Sequence, residues 1–227
     1  MGLHVISLGG SLIVPGEIDS SFLSSFKHLI NKRIENGDRF ILVAGGGKTA
    51  RKYQSAAAEV SEIDNEEKDW IGIHATRINA HLLRTVFKRV ANPKVIKDYD
   101  HDWPEFNESV LVGAGWKPGW STDYDAVLLA ERYGADTVIT LTNIDYFYSD
   151  DPNKNPDAVK YTDMSWDELE KLIGTEWDPG LSMPFDPIAS KKAKDLELKV
   201  VIMNGSQLSN LENFLDGNNE FKGTIIK

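Results

Sequence analysis

Phe40-Ile41-Leu42-Val43-Ala44-Gly45-Gly46-Gly47-Lys48-Thr49-Ala50-Arg51-Lys52-Tyr53 is the stretch that decides the fold. A short apolar run reads as a buried strand, the three glycines as a tight break, and the alanine-rich residues 48–59 as a helix. A strand that ends in glycines and opens a helix aims backbone N–H groups and the positive helix end at one point. An anion can approach that point without obstruction by a Cβ.

The same pattern precedes and follows this stretch. Residues 4–8 form a short apolar run into Gly9-Gly10-Ser11, and residues 110–112 run into Gly113-Ala114-Gly115. Phe22, Phe26, Leu29, Ile30 and Ile34 recur at helical spacing after Asp19 or Ser20 as N-cap, with Gly37 as the stop. A long helix is expected over residues 66–90, and another over 122–133 with Gly134 as its stop. Residues 137–141 and 199–203 read as strands and 143–163 as a hairpin excursion. Ser165 with Glu168 makes a capping-box signature. Alternating strands and helices predict an α/β fold, a three-layer αβα sandwich on a mostly parallel sheet. Ligands then sit where loops leave the carboxyl ends of the strands. One domain over 1–227 is expected, with halves at about 1–134 and about 135–227.

Composition narrows the function. Thirty-five acidic against 25 basic residues give a formal charge of −10, which repels a nucleic acid backbone. No apolar run approaches the roughly 20 residues that cross a bilayer, and there is no cysteine, so disulfides and thiolate metal sites are excluded. These features predict a cytoplasmic protein that binds a small anion locally. No G-x-x-x-x-G-K-[ST] and no G-x-G-x-x-G occurs, which removes the two commonest nucleotide signatures.

Six segments in order carry a resemblance. They are Leu8-Gly9-Gly10-Ser11; the Gly45 to Tyr53 run; Asp69-Trp70-Ile71-Gly72-Ile73 with Thr76-Arg77-Ile78-Asn79-Ala80; Pro118-Gly119-Trp120-Ser121-Thr122-Asp123; Leu141-Thr142-Asn143-Ile144-Asp145 with Tyr148-Ser149-Asp150-Asp151-Pro152; and Asp186-Pro187-Ile188-Ala189-Ser190-Lys191. Together they resemble the uridylate kinases of the amino acid kinase family, in their archaeal-type form, and the resemblance spans nearly the whole chain. It implies the carbamate kinase-like fold and ATP-dependent phosphoryl transfer to UMP in pyrimidine nucleotide synthesis. It also implies Mg²⁺ travelling with ATP and a homohexamer built as a trimer of dimers.

By that resemblance ATP meets Gly10, Ser11, Gly47, Arg51, Thr142, Tyr148 and Asp151, and UMP meets Gly46, Asp69 and the loop Trp116, Lys117, Pro118, Gly119, Trp120, Ser121, Thr122. Lys191, Asp123, Gly10 and Arg51 are the implied catalytic group. A carboxylate can accept two hydrogen bonds from a vicinal diol, which suits Asp69 to a ribose; apart from the motif it reads as a solvated first-turn acid. Lys191 has Lys192 and Lys194 beside it, and apart from the motif reads as a solvated helix lysine. Trp116 and Trp120 suit either base stacking or anchoring of an interface or lid.

Ser7 stands where many relatives carry a lysine near the β and γ phosphates, so another cation, Mg²⁺ or the glycine amides must compensate that charge. No general base is required, because the UMP phosphate is already ionised. Asp123 and Asp145 are candidate direct or outer-shell contacts for Mg²⁺, and no protein ligand is assigned. Residues 98–102 alternate acids with His101 but read as a solvated loop, and His74 with His81 as helix packing or subunit contact. The same fold with another acceptor, such as isopentenyl phosphate, and a non-catalytic nucleotide or oxyanion binder of the molybdate-storage kind are the alternatives. Ser7 supports the binder, and the absence of histidine over residues 48–53 weighs against isopentenyl phosphate.

Overall fold

The computed structural model describes residues 2–101, 103–150, 152, 154–174, 184–218 and 220–227. In chain order the first half carries β1 (Leu3–Leu8), α1 (Gly10–Ile13), α2 (Ser20–Glu35), β2 (Arg39–Ala44), α3 (Gly47–Val60), α4 (Asn65–Val86), β3 (Ala91–Ile96) and β4 (Val110–Gly113). Then come α5 (Thr122–Tyr133), β5 (Thr137–Thr142), β6 (Phe147–Tyr148), β7 (Lys160–Tyr161), β8 (Asp163–Met164), α6 (Trp166–Ile173), α7 (Pro187–Asp195), β9 (Lys199–Asn204), α8 (Leu208–Leu215) and β10 (Thr224–Ile226).

One sheet takes strands from both halves in the order β3-β4-β2-β1-β5-β9-β10-β8. Its pairings are parallel except β10 against β9. Leu8 of β1 is level with Ala44 of β2 and with Leu141 of β5. Three central strands therefore end together, and the loops that leave them start from one line.

Side-chain alternation along each strand builds two cores, one on each face. Ile6, Leu8, Phe40, Leu42, Ile139 and Leu141 pack with Leu23 and Phe26 of α2, Leu83 of α4 and Leu211 of α8. Val5, Ile41, Val43, Val138 and Val200 pack with Val127 and Leu129 of α5, Leu169 of α6 and Ala189 of α7. This is the expected three-layer sandwich. Each fully buried Leu, Ile or Phe contributes about 1.5–3 kcal/mol, so the strand ends below the loops are held stiffly.

Local signals formed as read at several ends. Asp19 accepts from the Phe22 N–H, Ser165 and Glu168 complete a capping box, and Gly134 closes α5 in the left-handed region at φ 73°. Other elements depart from the reading. The long helix ends at Val86 rather than near 90, and residues 91–96, to which the sequence reading gives no element, form the edge strand β3. Pro93 lacks an N–H and is tolerated at an edge, and the register slips between Ala91 and Val95. The antiparallel β10 and the single turn α1 have no periodic signal of their own, being 3 and 4 residues long.

Candidate active site

The first two glycine loops touch. A Cβ on Gly10 would collide with the Gly47 amide nitrogen and lie 2.6 Å from the Gly45 carbonyl carbon. Gly47 itself holds φ +64°, where an L side chain is strained. The backbones of β1 and β2 thus converge where α1 and α3 begin, and only glycine permits the approach. Asn79 of α4 locks the arrangement by donating to the Gly45 carbonyl at 2.8 Å and the Gly46 carbonyl at 3.2 Å.

The third loop joins through α4. Thr76 Oγ1 accepts from the Gly115 N–H at 2.8 Å and donates to the Ile73 carbonyl at 2.7 Å. Arg77 donates to the carbonyls of Gly115 at 3.2 Å and Trp116 at 2.8 Å. Asp69 Oδ2 accepts from the Gly119 N–H at 2.8 Å, and Gly119 sits at φ +82°. Between these parts lies a cavity of about 470 Å³ lined by Gly46, Gly47, Arg51, Asp69, Thr76 and Trp120, with Gln54, Ser121 and Thr122 on the same wall. A cavity of that size suits a mononucleotide. Its charge pattern, with Arg51 and the α3 amides on one side and Asp69 on the other, suits an anion attached to a diol.

A group of acids lies beneath the loops. Ser7 Oγ donates to Asp123 Oδ1 at 2.9 Å, and Ser121 Oγ donates to Asp186, which caps α7 through the N–H groups of Ile188 and Ala189. Burial, then the Asp186 carboxylate, push the Asp123 carboxyl up to about 7 against the opposing Ser7 hydrogen bond. Burial also raises Asp186, and raises the fully buried Asp125 well above the usual carboxylate range, where Asp186 and Asp123 add repulsion. Among the described residues no ammonium or guanidinium acts on Asp123. Such a set of hard oxygens fits a divalent cation delivered with a polyphosphate.

An aromatic row flanks the cavity. Tyr99, buried with its hydroxyl donating to the Ala114 carbonyl at 3.1 Å, touches Trp103 and Trp116 with centroids 5.7 and 5.6 Å away. Trp116 touches Trp120 at 5.7 Å, and Trp120 touches Tyr124 at 4.3 Å. The Lys117 ammonium lies 3.6 Å above the Trp116 ring and pairs with Asp100 at 3.7 Å. Trp120 lines the cavity; Trp116 and Lys117 are not among its lining residues.

The remaining expected residues fall in several places. Arg51, expected to face ATP, is exposed and lines the same cavity as Asp69. Ser11 follows Gly10 in α1, Pro118 is half-buried before Gly119, and Thr142 ends β5 level with Asn204. Tyr148 lies in the β6–β7 hairpin against Tyr146. Asp151 lies outside the described residues. Lys191 is exposed on α7 and lines a separate hollow of about 290 Å³ with Trp166, Glu170 and Lys194. Asp145 accepts from Asn204 and Gln207. Asp98, Asp100 and His101 do cluster closely enough to share an ion, yet Asp98 is occupied by the N–H groups of Asp100 and His101. Asp125 and the bracing pair Tyr99 and Trp103 had not been singled out; the one sequence hint was a second acid two residues after Asp123 in the first turn of a helix.

The amino acid kinase family profile matches residues 2–108 and 109–204. The uridylate kinase of Pyrococcus abyssi is 35% identical over 226 residues, covering 98% of both chains. That of Methanospirillum hungatei is 36% identical over 225 residues, covering 98% of this chain and 93% of its own. The crystal structure of uridylate kinase from Archaeoglobus fulgidus superposes with a TM-score of 0.77 at 31% identity over the full length of both chains. Converging glycine loops on a shared sheet are thus matched by similarity along nearly the entire sequence, and the chain belongs to the amino acid kinase family, within its uridylate kinases.

Proposed function

We propose that this chain is a UMP kinase that transfers the γ-phosphoryl group of ATP to UMP, giving UDP and ADP. The observation that carries the reading is that Gly10 abuts Gly47 while Gly47 shares a cavity with Asp69: amide-lined glycine loops for phosphate, and a carboxylate for a ribose in the adjoining cavity. UMP enters with its diol on Asp69 and its phosphate toward Gly46, Gly47 and Arg51. ATP lies over Gly10, Ser11 and Gly47, with its nucleoside toward Thr142 and Tyr148.

Two phosphate chains brought tail to tail repel each other, so positioning and charge compensation carry most of the rate. The amides of the glycine loops, Arg51 and Lys191 hold the phosphoryl oxygens, and in-line attack needs no base. Mg²⁺ bound with ATP supplies further charge neutralisation, and Asp123 is the carboxylate that would hold it or its waters. The cluster of Ser7, Ser121, Asp123 and Asp186 oxygens supports this, and a cation there would favour the ionised form of Asp123 that burial disfavours.

The reading extends to a role in pyrimidine nucleotide synthesis in the cytoplasm and to a homohexamer assembled from dimers. No helix among the described residues is long and apolar enough to cross a membrane. Isopentenyl phosphate and oxyanion storage have less support, because neither makes use of Asp69, whose Oδ2 holds Gly119 beside the cavity. A coupled ADP-release assay with UMP, CMP, dUMP, AMP and GMP tests the proposal. Turnover with UMP well above the purine nucleotides is expected; tight binding of ATP and UMP without any turnover would overturn it.

A further inference from the structure

The acceptor cavity has one large apolar surface that the phosphate and ribose contacts leave unused. Trp120 lines it, half-buried, next to Ser121 and Thr122. Its position is fixed from two directions. Asp69 Oδ2 holds the preceding Gly119 N–H at 2.8 Å, so the indole sits one residue from the carboxylate assigned to the ribose. Tyr124 packs against the indole with centroids 4.3 Å apart, and Trp116 lies behind it at 5.7 Å. Trp116 in turn rests on the buried Tyr99, so the indole ends a row anchored in the core.

Two of the three hydroxyls on the same wall, those of Thr76 and Ser121, already have partners. Thr76 Oγ1 accepts from the Gly115 N–H and donates to the Ile73 carbonyl. Ser121 Oγ donates to Asp186 and accepts from the Tyr124 N–H. The Thr76 and Ser121 hydroxyls are therefore committed to holding the wall, which leaves the Thr122 hydroxyl and the aromatic face of Trp120 as its features open to a ligand.

We infer that Trp120 is the stacking platform for the acceptor base, and that Trp116 braces it without touching substrate. The inference rests on the acceptor-nucleotide reading of this cavity. A nucleotide with its ribose at Asp69 and its phosphate at the start of α3 extends its base away from α3, toward the loop that carries Trp120. Stacking on an indole is directionally undemanding and needs no base-edge donor. A platform pre-placed by Tyr124 and Trp116 loses little freedom when the base arrives.

The test separates the base from the sugar phosphate. Binding of UMP and of ribose 5-phosphate is measured by calorimetry for wild type, Trp120→Phe and Trp120→Leu, each checked for folding by its unfolding transition. The leucine variant is expected to weaken UMP about ten- to fifty-fold and to leave ribose 5-phosphate within about twofold, with phenylalanine restoring most of the loss. Equal losses for both ligands would assign Trp120 to loop structure, and unchanged UMP affinity would remove the platform; either overturns the inference. Should the leucine variant fail to fold, wild type decides the matter: magnetisation transfer from indole protons to uracil H5 and H6, diminished in Trp120→Phe, is expected, and its absence overturns the inference. ATP-dependent formation of UDP by wild type judges the kinase reading separately.

Discussion

Ser7 Oγ donates a hydrogen bond to Asp123 Oδ1 at 2.9 Å, joining the end of β1 to the first turn of α5 across 116 residues of sequence. The contact puts a carboxylate and a neutral hydroxyl beneath the glycine loops. Asp186 lies near enough to repel Asp123, and burial removes the water that would otherwise solvate both. The folded protein therefore resists ionising Asp123 until a cation is brought to it.

The pH dependence of stability follows from this. With the folded-state value at about 7 and an unfolded value near 3.9, the native state holds a proton that the unfolded chain has lost. Below pH 4 both states are protonated and the group contributes no difference. From about pH 4 to 7 stability falls as pH rises, and above 7 the penalty is constant. Asp123→Asn keeps an oxygen to accept from Ser7 and has no charge to bury. In nucleotide-free protein, its Tm is expected to match wild type at pH 4 and to exceed it by roughly 3–6 °C at pH 8, or about 1–2 kcal/mol. Parallel curves for the two proteins across that range would contradict the assignment.

The layer order and the glycine loops were readable because each is a local pattern: apolar runs, glycine triplets and caps act over a few residues. What was not readable is contact between distant segments. Nothing in Ser121 alone points to Asp186, 65 residues away, or in Asp125 to burial against Asp186 and Arg77. The edge strand β3 was hidden because Asn92, Pro93 and Lys94 break the apolar run, and neighbours in the sheet impose its conformation. The family resemblance puts Arg51 on the donor side. Its place on α3, four residues after Gly47, puts it on the wall that holds Asp69 as well.

Asp69 should act on the acceptor alone. Its Oδ2 already accepts from the Gly119 N–H, leaving Oδ1 for a hydroxyl. Asp69→Asn can keep the loop contact through its carbonyl oxygen but then turns an NH₂ toward the sugar. A rise in KM for UMP of about ten-fold or more with little change in KM for ATP is expected. The dUMP to UMP ratio of kcat/KM should move toward one as the 2′-hydroxyl loses its partner. Equal effects on both nucleotides would place Asp69 in the general scaffold instead.

Gly47→Ala tests the junction of the loops. The new methyl group would strike the Gly10 carbonyl at a position with φ +64°, so the backbone must move to accept it. A loss of about 2–4 kcal/mol in stability and of more than 100-fold in kcat/KM is expected. Gly16→Ala is the matched control, since a Cβ there meets nothing within 4 Å. Denaturant unfolding and steady-state rates would check both, and a silent Gly47→Ala would remove the close approach from the argument.

Lys191 is separated from its neighbours by what each ammonium touches. Lys192 pairs with Glu131 at 2.8 Å, and Lys194 with Asp167 at 2.6 Å and Glu170 at 3.1 Å. Lys191 has no ion-pair partner among the described residues and stands exposed on α7, whose N-terminus Asp186 ties to the acceptor loop through Ser121. Lys191 lines a hollow apart from the Asp69 cavity, and the proposed reaction assigns this cation to the oxygens of the transferring phosphoryl group, where its attraction would strengthen as charge develops. Lys191→Met is expected to lower kcat about 10²- to 10³-fold with Tm unchanged within about 1 °C, because no native pair is broken. Lys192→Met, by contrast, breaks an exposed pair and should alter kcat less than about twofold, with at most a small loss of stability. Comparable rates for the two variants would return Lys191 to the solvated surface.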